Sequence, residues 1–226
     1  MLGVLCRGKR EHLEMTRVAG MNVLCAYVKG GGRGEARRLA RAAKRLRRAG
    51  VRRLLESREG RGKLLGLPVV AALPLYRAVA DRLILELLNR RGILPERATV
   101  VLRGECPDGE LMTAAWRLCP RVRQVVIDTE RGGEPAQRKL LQQFGVAVAA
   151  TGIRQMAVTV RFSGQSMGED LNLCEAEPVD FLLDVPGLVL PDVLVRTSTL
   201  CALWQAGMLD LSQVQVRWSG AENKFT

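Results

Sequence analysis

Residues 98–129, ATVVLRGECPDGELMTAAWRLCPRVRQVVIDT, decide how the rest of the chain is read. Thr99, Val100, Val101 and Leu102 form a β-branched and aliphatic run, too short for a helix and closed by Gly104. Such a run marks a strand buried on both faces. Cys106-Pro107-Asp108-Gly109 then breaks the chain. Asp108 stands where an N-cap is wanted, and Glu110 in the first turn complements the positive helix end. Leu111, Ala115 and Leu118 recur at i, i+4 and i+7 with Met112 beside them, which makes one apolar helical face. Pro120 stops that helix. Residues 122–127 form a second strand, ended by Asp128. Strand, crossover helix and strand within about 30 residues is the βαβ pattern of a parallel sheet.

The loop between strand and helix, GECPDG at 104–109, has the spacing of G-x-G-x-x-G with Cys106 in the place of the second glycine. In a dinucleotide site the first glycine makes the turn, the second admits the pyrophosphate and the third allows close helix packing. An acid at the end of the next strand then holds a ribose hydroxyl. Asp128, 24 residues after Gly104, occupies that acid's place. The Cys106 side chain stands where phosphate would approach, and Pro107 lacks an N–H. An ordinary βα turn is the competing reading. On these residues, the stretch from 98 to about 150 resembles the NAD(P)-binding half of shikimate dehydrogenase-like and glutamyl-tRNA reductase-like proteins. The resemblance implies a Rossmann-like unit in which Gly104 and Gly109 flank the phosphates and Asp128 or Arg131 faces the ribose.

Composition bounds the wider possibilities. A chain of 226 residues with 47% hydrophobic content has enough length for one large or two small domains with a true core. The six cysteines, Cys6, Cys25, Cys106, Cys119, Cys174 and Cys201, are far apart, and His12 is the single histidine. No C-x-x-C occurs, so neither a zinc site nor a secreted disulfide framework is expected. Free, mostly buried thiols in a reducing cytoplasm fit better. MLGVLCRGKREH at the start lacks the apolar core and cleavage site of a signal peptide. The longest uncharged apolar stretch, 64–76, is 13 residues with two prolines and is too short for a bilayer.

The net charge of +12 is concentrated. Residues 1–97 carry 23 basic and 8 acidic side chains, a charge of +15, and residues 98–226 carry 12 and 15, a charge of −3. Residues 33–63 alone hold 13 basic and 3 acidic residues. Such asymmetry marks either a polyanion partner or a solvated helix face.

Along the chain, 2–6 is a short strand, 7–16 a polar loop or helical turn holding His12, and 22–28 a stronger strand. KGGGRG at 29–34 follows. Residues 35–49 form a helix that buries Ala36, Leu39, Ala40, Ala43 and Leu46 and exposes Arg37, Arg41, Arg45 and Arg48, with Gly50 in the C′ position. A strand at 51–55 completes a second strand–loop–helix–strand unit, a pseudo-repeat of the one at 99–128. The loop with Gly30, Gly32, Arg33 and Gly34 is the second candidate anion site, because glycine N–H groups, a helix N-terminus and two cations converge there. It is not a Walker A motif, and a glycine-rich surface turn is the alternative. SREGRGK at 57–63 is a charged loop at a strand's carboxyl end, where ligands bind in open α/β sheets.

Residues 73–91 form one long helix, apolar around most of its girth, placed at the junction of two halves or at a homodimer interface. After the central unit, GGEP at 132–135 opens a helix with Ala136, Leu140, Leu141 and Phe144 on its apolar side and Gly145 at its end. Residues 146–150 are a strand, and 157–162 alternate as a half-exposed edge strand. GQSMG at 164–168 matches G-x-S-x-G, but no helix pattern follows and His12 lies far upstream, so a turn is read there. Residues 164–226 hold 9 acids and 3 bases, short strands at 171–174, 181–183 and 214–218, and a helix near 198–206 capped by Thr197 or Ser198. This acidic segment is free to fold back onto the Arg-rich helix, and 221–226 are expected to fray.

The sequence therefore predicts an α/β, Rossmann-like protein with a mostly parallel sheet. It divides into a basic unit over 1–92, a Rossmann-like unit over 93–163 and an acidic, β-rich addition over 164–226. A nucleotide, NAD(P) or another phosphate-bearing ligand at the glycine loops is the leading function, with no metal and no membrane contact. Nucleic-acid binding through Arg37, Arg41, Arg45 and Arg48 is the second reading, and a non-catalytic, dimerising protein with a decayed dinucleotide site is the third.

Overall fold

The computed structural model describes residues 1–58, 66–145, 157–165, 168–174 and 177–219. The chain forms two compact units. The first comprises 1–72 and 183–215, and the second 73–182 and 216–226. The division expected at 92 and 163 follows the order of elements, whereas the compact units follow contacts, so residues 183–215 belong with the N-terminal part.

In the first unit, β1 (Leu2–Arg7), β2 (His12–Val18), β3 (Met21–Val28) and β4 (Arg53–Leu54) form a sheet in the order β2-β3-β1-β4. β1 runs parallel to both β3 and β4, and β2 runs antiparallel to β3. The polar stretch expected as a loop is therefore partly a strand. β2 is an edge strand with His12, Glu14 and Arg17 exposed, so backbone pairing rather than an apolar pattern holds it. Ala19 (φ 49°) and Gly20 (φ 85°) turn it into β3, with positive φ at both central positions as tight hairpins require.

Helix α1 (Glu35–Arg48) lays Leu39, Ala42, Ala43 and Leu46 over Leu5, Leu24, Ala26 and Val28. The buried stripe is rotated from the expected one: Ala36 and Ala40 are exposed and Ala42 is buried. Gly50 (φ 83°) closes the helix as expected. Its N–H reaches Arg47 O and that of Val51 reaches Leu46 O, the paired bonds of a Schellman end. The pseudo-repeat holds in element order but not in pairing, since β1 separates β3 from β4.

The second unit begins with α2 (Leu73–Ala78) and α3 (Ala80–Arg90). The single helix expected over 73–91 is broken at Val79 (φ −110°). Arg82 N–H bonds Val79 O, and the carbonyl of Ala78 accepts from Arg117 instead. A side chain inserted into the ladder is an ordinary cause of such a break. These helices pack on α4 (Gly109–Leu118), and α3 also packs on β7 (Ala157–Arg161).

β5 (Thr99–Gly104), β6 (Gln124–Thr129), β7 and β8 (Leu171–Asn172) form an all-parallel sheet in the order β6-β5-β7-β8. β7 lies inside this sheet, not at its edge, because β8 pairs with its far side. One sheet face carries Val100, Leu102, Val125, Ile127, Val158 and Val160, all buried. The side chain of Arg77 clasps the carboxyl ends of β7 and β8 by donating to the carbonyls of Phe162, Leu173 and Cys174 and to Glu110. Helix α5 (Gly133–Phe144) follows β6 and ends at Gly145 (φ 64°).

β9 (Phe181–Asp184) and β10 (Gln215–Trp218) form a two-stranded sheet. Helix α6 (Arg196–Gln205) is not capped by Thr197 or Ser198. Its cap position is Val195, whose carbonyl accepts from the hydroxyls of Ser198 and Thr199 inside the first turn. Three described acids of 164–219 pair with cations outside α1: Asp170 with Arg91, Glu169 with Arg161, and Asp184 with Arg196. The expected strand at 146–150, Ser166 of GQSMG, most of the loop at 57–63 and the tail at 221–226 lie outside the described residues. Among the described residues, no helix is long and apolar enough to cross a membrane.

Candidate functional site

The loop at 104–109 sits where β5 ends, but its backbone is engaged with its neighbours. Glu105 N–H donates to Ser163 Oγ at 2.9 Å. The carbonyls of Gly104 and Glu105 accept from Glu130 N–H and Arg131 N–H at 3.2 and 3.1 Å. A Cβ at Gly104 would stand 3.0 Å from Ser163 Oγ, so glycine is needed for this approach of loop to loop. Pro107 lies over Gly132, where a Cβ would come 3.3 Å from its ring. Asp108 caps α4 as expected, accepting Leu111 N–H at 2.8 Å. Gly109 opens that helix with open space around it, and Cys106 is exposed.

The loop at 29–34 is likewise knit together. Arg38 donates from Nε to Lys29 O (3.1 Å) and from Nη2 to Gly31 O (2.6 Å), while Gly31 N–H reaches Glu35 Oε2 (3.1 Å). A carboxylate therefore already meets one of the loop's N–H groups. Gly32 and Gly34 take left-handed φ of 79° and 95°, Gly30 does not, and Arg33 is exposed. Arg37, Arg41, Arg45 and Arg48 are all exposed along α1, with Arg41 3.3 Å from Glu11.

An opening lies elsewhere in the second unit, on the sheet face opposite the buried one. Val126, Val101 and Thr159 are neighbours in register across β6, β5 and β7 and form its floor, with Ala157 beside them. Gly133, Glu134, Gln137, Arg138 and Leu141 of α5 form its wall. The cavity measures about 650 Å³, within the usual span for small-molecule sites. Leu141 is 43% exposed because it borders this groove rather than the core.

A row of charge closes one end. Asp128, Arg103 and Arg161 stand side by side in register on three strands. Asp128 accepts from Arg103 Nε at 3.0 Å. Glu169, whose side chain is fully buried, takes Arg161 Nε at 2.6 Å and lies 3.8 Å from Arg103. Two like charges are thus held together by a buried carboxylate, while Asp128 keeps 58% of its side chain open. Beside them Asp170 accepts from Thr159 N–H (2.7 Å), Thr159 Oγ1 (3.0 Å) and Arg91 (2.6 Å). Burial alone would raise its carboxyl, but the Thr159 N–H, Arg91 and the Thr159 hydroxyl hold it below the ordinary carboxylate range.

Of the residues singled out in the sequence, the structure brings Asp128 to the groove and leaves Gly104, Asp108 and Gly109 in the adjoining loop. Gly30, Gly32, Arg33 and Gly34 belong to the other unit. Sequence reasoning missed Arg103, Thr159, Arg138 and Gln137. Gln137 carried a signal: a polar residue three and four positions before Leu140 and Leu141 stands on the stripe that faces inward. Its amide takes Ile127 N–H (2.7 Å) and gives to Val125 O (3.0 Å), covering the open edge of β6.

Among the described residues, no three or more His, Cys, Asp or Glu side chains are grouped to hold a metal ion. No protein-family model matches the chain, and comparison with curated proteins finds no match.

Proposed function

We propose that the second unit is Rossmann-like in use as well as in pattern, and that it binds a nucleotide or a similar phosphate-bearing small molecule in the groove between α5 and the sheet. The observation that carries this reading is the groove itself, an apolar floor ending in the Asp128–Arg103 row. Val101, Val126 and Leu141 suit the flat face of a base. The open carboxylate of Asp128 suits vicinal hydroxyls, the role an acid plays at the end of a strand in dinucleotide sites. Arg103 and Arg138 suit phosphate oxygens. The strand order supports the same placement. β6 and β7 flank β5 on opposite sides, so the chain reverses its direction of travel beside β5, and open parallel sheets bind ligands at such reversals. In this reading the loop at 104–109 is a scaffold, because its N–H and carbonyl groups already serve Ser163, Glu130 and Arg131.

A thermal-stability screen against adenosine and guanosine nucleotides, NAD(P) and inorganic phosphate tests this. A ligand selective for the folded state stabilises it by about 2.7 kcal/mol at 100 times its Kd. The expected result is a saturable shift with one nucleotide that persists at high salt and disappears in Val126→Trp, which fills the floor. A shift that Val126→Trp leaves intact would place the ligand elsewhere.

A further inference from the structure

The groove of the second unit is lined by charges that cancel. Its charged lining residues are Arg103, Asp128, Glu134 and Arg138. Arg103 turns Nε to Asp128 at 3.0 Å and Nη1 toward Glu169 at 3.8 Å. Arg138 lies 3.8 Å from Glu134, one turn away on α5. Arg161, next in the row, is taken by the buried Glu169. Each of these arginines faces a carboxylate, and the lining carries no net charge. The loops that rim the same end, 104–109 and 129–132, lean the other way. Their exposed charges are Glu105, Glu130 and Arg131, two acids to one base.

A polyphosphate needs the opposite: unengaged N–H groups, an excess of cations or a metal ion. The N–H groups of Glu105, Glu130 and Arg131 are already bonded to Ser163, Gly104 and Glu105. Among the described residues no acids are grouped to hold a metal ion. A phosphomonoester carries about two negative charges at neutral pH, and each further phosphate adds more. A phosphodiester carries one. Arg103, held between two carboxylates, has a single guanidinium to set against that charge.

We infer that the groove selects against charge. It takes a nucleoside with free 2′ and 3′ hydroxyls whose phosphate is a singly charged diester, in preference to nucleoside mono-, di- and triphosphates. This rests on the reading of the groove given above and narrows its ligand. Two sources present the same chemistry: a free dinucleotide joined through pyrophosphate, and the 3′-terminal nucleotide of an RNA strand.

Isothermal titration of the full chain at low salt, in EDTA, tests the inference with the 5′-methyl phosphodiester, the 5′-monophosphate and the 5′-triphosphate of one nucleoside. The diester should bind tightest, the monophosphate about fivefold more weakly, and the triphosphate more weakly again by about the same factor or more. Glu134→Gln removes one acid from the wall and releases Arg138. The Glu134 side chain is 91% exposed, so the fold does not depend on it. This variant should close the gap between triphosphate and diester by about fivefold. Added salt screens the repulsion and should also narrow the gap. A dinucleoside 5′,5′-pyrophosphate and a 3′→5′ dinucleoside monophosphate, titrated alongside, separate the two sources, and tighter binding of either fits and names the source. A triphosphate that binds as tightly as the diester, or a gap that neither Glu134→Gln nor salt narrows, would overturn the inference and leave the groove reading standing. No binding by any of these compounds, or binding that Val126→Trp leaves intact, would overturn the groove reading and this inference with it.

Discussion

Asp170 shows how much one carboxylate organises here. It takes two bonds from Thr159 on β7 and one from Arg91 at the end of α3, and its own N–H reaches Thr159 Oγ1. Its folded carboxyl titrates below the ordinary range. A group depressed in this way stabilises the fold above its unfolded pKa, about 3.9, and loses that contribution as pH falls through the lower folded value. Asp170→Asn should therefore be less stable than the parent at pH 6, and the gap should close below about pH 4. Urea midpoints from pH 7 to 2 would show it, and a gap of constant size would refute the assignment. At this scale the sequence was partly legible. The Asp108 cap follows from a local rule, that a short acceptor before an apolar stripe meets the N–H groups of the first turn. The Asp170–Thr159 and Ser163–Glu105 bonds join residues 11 and 58 positions apart, and no local pattern announces them.

Elements were legible where a period was strong and a terminator stood in place. α1, α4 and α5 have the expected starts and stops, because Gly50, Pro120 and Gly145 act within the last turn of each. Two kinds of element were not. β2 is an edge strand whose exposed charged residues erase the alternation that marks half-buried strands, and β7 alternates as an edge strand would although it lies inside its sheet. The break at Val79 depends on Arg117, a side chain 38 positions further on. α5 is the element whose placement matters most, since its Gln137 amide takes the place of a neighbouring strand along the edge of β6. Gln137→Leu would leave Ile127 N–H and Val125 O without their partner and should cost about 1–3 kcal/mol. Urea unfolding measures this directly. A loss below about 0.5 kcal/mol would mean that the clamp does not hold α5 on β6.

For the whole molecule, charge and openings fall in different units. The excess positive charge of residues 1–97 belongs mostly to the unit that holds α1, and the groove belongs to the unit built on β5, β6 and β7. The glycine loops drew attention in the sequence because glycine spacing is visible there. Whether a loop's N–H groups remain available is decided by Ser163, Glu35 and other residues brought in by folding. The groove was invisible for the same reason, since its floor combines alternate residues of three strands and its wall is the side of a helix. Isothermal titration compares the claims about it most directly. The nucleotide giving the largest thermal shift would be titrated into the parent and into Asp128→Ala, alongside its 2′,3′-dideoxy analogue. Asp128 at the ribose predicts that the analogue binds the parent at least tenfold more weakly than the nucleotide does, and that Asp128→Ala binds both alike. Equal affinity of the parent for both compounds, or no heat with either, would contradict the account.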